Sequence, residues 1–144
     1  MYRNILKKSR ILPAILNVVG VLFTFSLMGF LTIGNKWEAP PSSNSLKNPI
    51  AVNEQSIADA KAIYTAKCAN CHGKKGKGDG PKSEELDVEV GDLTSAGCVK
   101  QSDGALFWKT SEGKKPMPSF KTELTAEERW KVVIYIRELE KSKK

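Results

Sequence analysis

Among 144 residues there is a single histidine, His72, so one chain has no means of placing two imidazoles on one metal. Cysteine is nearly as scarce: of three, Cys68 and Cys71 are spaced as a pair and Cys98 stands alone. Charge of either sign is missing from Ile11 to Asn35, whereas Lys, Glu and Asp are spread evenly from Lys36 onward. That contrast implies two physical environments in one chain. No stretch alternates apolar and polar residues as a paired strand would, and no internal repeat is found. An all-α fold is the expectation.

What charge there is lies unevenly. The net charge of +7 invites a nucleic-acid reading, but residues 1 to 53 hold six basic side chains and one acid, while residues 54 to 144 hold seventeen and fifteen. The second part is therefore close to neutral, and a basic patch for nucleic acid is a poor reading.

The uncharged stretch at residues 11–34 matches the ~20 residues that a helix needs to cross a bilayer. Arg3, Lys7, Lys8 and Arg10 precede it and Lys36 follows, so the positive-inside rule expects a cytoplasmic N-terminus at residues 1–10. The expectation is a single-pass anchor in a bacterial cytoplasmic membrane, with the rest of the chain periplasmic. A cleaved signal peptide is the competing reading, with Thr32-Ile33-Gly34 as a tolerable cleavage site. Its apolar core would, however, be longer than the ~7 to 15 residues usual there. Residues 35–53 carry three prolines and no periodicity, which reads as a tether. Trp37 suits either the aromatic belt of a membrane interface or an incidental place in that linker.

Residues 54–144 form the expected domain. Ile57, Ala60, Ile63 and Tyr64 follow helical spacing up to Lys67, with Ser56 to Asp59 as a candidate cap. A glycine-rich loop from His72 to Pro81 follows. A short helix is expected from Asp103, capped by its own carboxylate, to Gly113. Lys114 to Phe120, with Pro116 and Pro118, is expected to be extended. Thr125-Ala126-Glu127-Glu128 is a capping box, opening a helix to about Lys141 with Trp130, Val133, Ile134 and Arg137 on one face.

The chemistry is concentrated in Cys68-Ala69-Asn70-Cys71-His72. This Cys-x-x-Cys-His spacing lets two thiols reach two vinyl groups on one haem edge while the adjacent imidazole turns toward iron. Cys68 and Cys71 are then the thioether positions of one haem c, and His72 is the proximal axial ligand. The second axial ligand of such centres is commonly Met. Met1 and Met28 belong to the start and the apolar segment, which leaves Met117, held between Pro116 and Pro118. Two other readings of the cysteines compete. One is a Cys3His zinc site including Cys98, and the other a thioredoxin-like redox pair. Zinc ribbons usually bring two spaced pairs, and no βαβ pattern surrounds the motif. Cys98 itself is expected to be buried as a small hydrophobe, an inter-chain bridge being the alternative.

From about Ala58 to Leu139 the sequence resembles the class I c-type cytochromes, near their small c6-like and c-553-like bacterial members. The matching pieces are Ile63-Tyr64 ahead of Lys67 to Gly73, the run Gly76 to Pro81, Pro116 to Phe120, and the terminal helix from Leu124. The resemblance implies N- and C-terminal helices packed across each other around one covalent haem, with Tyr64 and Trp130 packing where they meet. It also implies that the Pro81 carbonyl accepts a hydrogen bond from His72 Nδ1.

A six-coordinate iron leaves no open position for a small-molecule substrate, so the expected role is single-electron transfer between redox protein partners rather than enzymatic turnover. Lys74, Lys75 and Lys77, with Lys114, Lys115 and Lys121, are candidates for steering an acidic partner. A fixed cytochrome subunit of a reductase or terminal oxidase is the alternative, and a haem enzyme or gas sensor a third.

Overall fold

The structure is a computed structural model, and it describes residues 37–142. The expected basic start, the membrane anchor at 11–34 and residues 35 and 36 lie outside the described residues, as do Met1 and Met28. Among the described residues there are five α-helices and no strand, and no helix is long and apolar enough to cross a membrane.

Helix α1 spans Glu54–Lys67. Its cap lies three residues earlier than the sequence suggests. Asn53 Oδ1 accepts the Ser56 amide at 2.8 Å, and the Ser56 hydroxyl accepts the Asn53 amide at 2.9 Å, a reciprocal box with Ser56 at its far end. Cys68 then leads directly into α2, Ala69–His72. A one-turn helix not foreseen from the sequence, α3, covers Ala96–Val99 and is capped by Ser95.

Helix α4, Asp103–Glu112, has its expected bounds but a different cap. The Ser102 hydroxyl accepts the Ala105 amide at 3.1 Å, while the Asp103 carboxylate accepts from Arg137 Nε at 2.8 Å. Serine and aspartate cap equally well, and the arginine partner decides between them. The helix ends at Gly113 with φ +66°, where a Cβ would fall 2.4 Å from the Pro118 backbone. Helix α5, Ala126–Lys141, opens with the predicted box: the Thr125 amide donates to Glu128 Oε2 at 2.8 Å and the Glu128 amide to Thr125 Oγ1 at 3.2 Å.

The main packing is α1 across α5. Ala60 and Val133 are fully enclosed, and the small Ala60 side chain favours close approach of the two helices. Tyr64, also buried, sets its ring 4.9 Å from that of Tyr135. Trp130 stacks instead on Phe107 of α4 at 4.0 Å, so the two aromatics expected at the helix crossing take separate partners. Around Trp130 and Val133 the core gathers Leu106, Phe120, Leu124, Ile136 and Cys98.

The segment read as a tether lies on this frame from Trp37 onward. Pro41–Ser45 forms a 3-10 turn against α4, where the absent side chain of Gly104 lets the Ser43 carbonyl approach. Ser102 Oγ donates to Asn44 Oδ1 at 2.7 Å, and Asn48 Nδ2 donates to the Trp130 carbonyl at 3.1 Å. The Lys109 ammonium sits 5.3 Å from the Trp37 ring centre. Proline restricts the unfolded segment in advance, which lowers the entropic cost of laying it down. It is a strap rather than a free linker.

Candidate haem site

Helix α2 presents the motif on one turn. The Cys68 amide donates to the Tyr64 carbonyl at 2.8 Å and the His72 amide to the Cys68 carbonyl at 2.9 Å, so the motif continues the hydrogen-bonding of α1. The two motif cysteines are half-buried and form no disulfide. Burial pushes the Cys68 thiol up to about 12, with Cys71 adding to the effect. A thioredoxin-like pair needs the opposite, a thiol held low.

The His72 imidazole is half-buried, and its Nδ1 lies 3.2 Å from the Gly91 carbonyl oxygen. Burial is the larger influence and lowers its pKa, while the Gly91 contact opposes it. A neutral ring with Nδ1 committed to a carbonyl leaves Nε2 for a metal, the arrangement by which an outer partner fixes a ligating histidine.

The Pro81 carbonyl expected in this place is thus replaced by that of Gly91. The backbone on both sides of Pro81 is committed to the motif itself: the Gly80 amide donates to the Cys71 carbonyl at 3.1 Å and that of Lys82 to the Asn70 carbonyl at 2.9 Å. Pro81 is exposed in the turn that results. Gly91-Asp92 carries an ordinary turn signal that could have drawn attention to this loop.

Two further contacts shape the loop after His72. The buried Tyr64 hydroxyl donates to the Gly73 carbonyl at 2.8 Å, a task beyond the packing role assigned to it from sequence. At Gly78, with φ +80°, a Cβ would fall 2.1 Å from the Val90 carbonyl oxygen, so the approach of residue 90 depends on glycine there.

Met117 belongs to a tight turn rather than an extended strand. The Lys114 amide donates to the Met117 carbonyl at 3.0 Å and the Met117 amide returns the bond to Lys114 at 2.9 Å, with a cis peptide at Lys115-Pro116. Proline's bias acts on the preceding residue alone, and a turn satisfies it as well as a strand. The turn is joined to α4 by Ser119 Oγ donating to the Ser111 carbonyl at 2.6 Å. The Met117 thioether and Cys68 both pack against the same hydrophobic core.

Two thiols on one turn, an imidazole with Nδ1 occupied and a thioether bordering a shared apolar cluster are a donor set that fits a covalently held haem. Among the described residues, no group of three or more His, Cys, Asp and Glu side chains is arranged to hold a metal ion, so Cys98 does not complete a Cys3His set. Cys98 is instead buried within the core, its thiol pushed up to about 11 chiefly by burial.

All six candidate docking lysines are exposed. Lys77 pairs with Asp92 at 3.7 Å and Lys121 with Glu112 at 2.5 Å.

Comparison with known proteins agrees with this donor set. The family model described as cytochrome c oxidase, cbb3-type, subunit III matches residues 55–136. No curated protein matches the chain significantly. A chain of the Kuenenia stuttgartiensis reducing HAO-like protein complex is 29% identical with a TM-score of 0.55. That match covers 65% of this chain and 49% of the other, so the chain spans about half the length of that neighbour. With an all-helical frame, a Cys-x-x-Cys-His turn and a family match over more than half its length, the chain belongs to the class I c-type cytochromes, in the cbb3-type cytochrome c domain family.

Proposed function

We propose that the chain holds one haem c through Cys68 and Cys71, ligates its iron with His72 and Met117, and passes single electrons between protein partners on the extracytoplasmic side of a membrane to which residues 11–34 anchor it. The haem, when bound, supplies the one-electron couple. The remaining work falls to the chain. Cys68 and Cys71 fix the porphyrin edge to α2, and Nδ1 of His72 donates to Gly91, which orients the ring. Met117, held in the Lys114–Met117 turn, would supply the sulfur ligand, and the apolar cluster that it and Cys68 pack against would shield the group from water. A centre saturated by nitrogen and sulfur has no place for a substrate, which supports a carrier rather than a catalyst.

The observation that carries this reading is the convergence of Cys68 and Met117 on one core while His72 is already oriented from behind. The test is an absorption spectrum of purified full-length protein in both oxidation states. Covalent haem with a long-wavelength sulfur-to-iron band, lost in Met117→Ala, is the expected result. A band that persists in Met117→Ala removes Met117 from the ligand set. A colourless protein with both motif thiols alkylatable after export by a maturation-competent host removes the whole reading.

A second form of this role, a fixed subunit of a respiratory reductase or oxidase, is supported by the strap. Trp37 and Asn48 are bound to the domain, so this part of the expected tether is not free chain. The family description as an oxidase subunit points the same way. Co-purification with a catalytic subunit from gently solubilised membranes supports this form, and recovery alone in the membrane fraction supports the mobile one. Recovery in the soluble fraction counts against the anchor.

A further inference from the structure

The carbonyl that faces His72 Nδ1 belongs to a residue without a side chain. Gly91 is exposed, so its own contacts do not hold the carbonyl in place. Its neighbours do. On one side, Val90 is seated against Gly78. On the other, the Leu93 amide donates to the Gly76 carbonyl at 2.7 Å, joining the two loops by backbone.

Between these points lies Asp92, whose peptide nitrogen shares a plane with the Gly91 carbonyl. Asp92 Oδ1 accepts the Thr94 amide at 2.7 Å and the Thr94 hydroxyl at 2.6 Å, an Asx turn that sets the direction of this peptide. Lys77, from the loop that follows His72, donates to the Thr94 hydroxyl and lies 3.7 Å from Asp92 Oδ2. Thr94 is only 3% exposed, so the hydroxyl joining the two charged groups is enclosed. A polar clasp therefore closes around the peptide whose carbonyl faces His72 Nδ1.

We propose that Asp92, with Thr94 and Lys77, is a positioning device for His72: the clasp aims the Gly91 carbonyl at Nδ1 and thereby sets the donor strength of the axial imidazole. The inference rests on His72 being an iron ligand, as proposed above. Stronger donation from Nδ1–H to a fixed carbonyl gives the ring more imidazolate character, which favours the oxidised iron. Loosening the clasp weakens that bond, so the oxidised state loses support and the reduction potential rises. Outer partners of metal-bound histidines act through this geometry, and their loss is typically felt as a tenfold or larger effect.

The experiment uses the full-length holoprotein and reads two quantities: solvent exchange of the His72 Nδ1 proton by NMR in the reduced state, and the reduction potential. Asp92→Asn removes charge but keeps an oxygen able to accept from Thr94. Asp92→Ala removes both. Positioning expects exchange about tenfold faster and a raised potential in Asp92→Ala, with exchange near wild type in Asp92→Asn. Equal changes in the two variants mean that only the charge is felt, and no change in exchange means that the clasp does not orient the ring; either result overturns the proposal.

Should Asp92→Ala fail to mature, Thr94→Val, which deletes the hydroxyl shared by Asp92 and Lys77, must raise the exchange rate severalfold, and a wild-type rate overturns the proposal. Mass and colour of the wild-type protein separate the two levels of failure. Missing haem sinks the ligand reading together with this one, whereas normal haem with an insensitive Nδ1 proton sinks the clasp alone.

Discussion

Helices α1, α4 and α5 and two loops, the one after His72 and the one that holds Met117, are held by different means. In the helical frame, Tyr64 and Val133 are enclosed, each helix begins at a side-chain cap, and ring contacts tie neighbours together. Between His72 and Ser95 and again between Gly113 and Phe120, order comes from backbone hydrogen bonds, glycine turns and polar clasps, with few buried side chains. The difference teaches which part of the molecule the protein builds unaided. The frame has an apolar core of its own, while the loops add few buried side chains to it, which fits the proposal that a porphyrin completes their packing.

The largest effect that tests this division is removal of the haem. In Cys68→Ala/Cys71→Ala, amides of the loops such as Gly76, Gly78 and Met117 are expected to exchange at nearly unprotected rates, while Val133 and Ile134 in α5 keep slower exchange. Hydrogen exchange read residue by residue checks this, since regions of one protein open with separate free energies. Uniform loss or uniform retention would erase the distinction between frame and loops.

Next in size is Leu139→Ala. Leu139 is buried on α5, and its Cδ1 would lie 3.0 Å from a Cβ at Gly76, so it serves frame and loop together. Urea unfolding of the holoprotein is expected to show a loss of about 2 to 5 kcal/mol. A loss well below that range would mean that Leu139 belongs to the loops' looser packing rather than to the frame.

Local features explain what could be read before the fold was known. The Thr125 box, the Gly113 stop and the Cys68 to His72 turn each depend on residues within one or two helical turns, and each stands where expected. Met117 emerged by elimination, as the one methionine outside the start and the apolar segment, and the turn that presents it packs it on the same core as Cys68. Gly91 was missed because the choice of acceptor for His72 depends on a loop path fixed by a glycine thirteen positions away, Gly78, and the local turn signal at Gly91-Asp92 does not say which group the turn will face. The strap was missed for a similar reason: Pro41 to Ser45 has no periodicity, and its docking depends on a bare backbone at Gly104.

A smaller and more local test addresses the join between the two regions. Tyr64→Phe keeps the ring beside Tyr135 but deletes the donor to the Gly73 carbonyl, leaving a buried acceptor without that partner. The expected cost is about 1 to 3 kcal/mol, seen mainly as faster exchange of Gly76 and Gly78 amides rather than of α5. Equal acceleration in α5 would show that frame and loop open as one unit.

The smallest effect concerns the frame alone and depends on pH. Glu128 is held below the ordinary carboxylate range, first by its bond to the Thr125 amide and then by the Thr125 hydroxyl. A carboxyl whose folded value is depressed contributes stability that is present above its unfolded value and is lost as pH falls through the folded one. Glu128→Gln preserves the capping shape while removing the charge that favours a helix N-terminus. Wild type is therefore expected to exceed the variant slightly in thermal stability near neutral pH, with the gap closing as the pH drops below the usual glutamate range and narrowing in high salt. The haem loops should be indifferent to this substitution, so the spectrum and the reduction potential stay unchanged. A shift in either would mean that the first turn of α5 reaches the site, and that frame and loops are coupled more tightly than their separate packing implies.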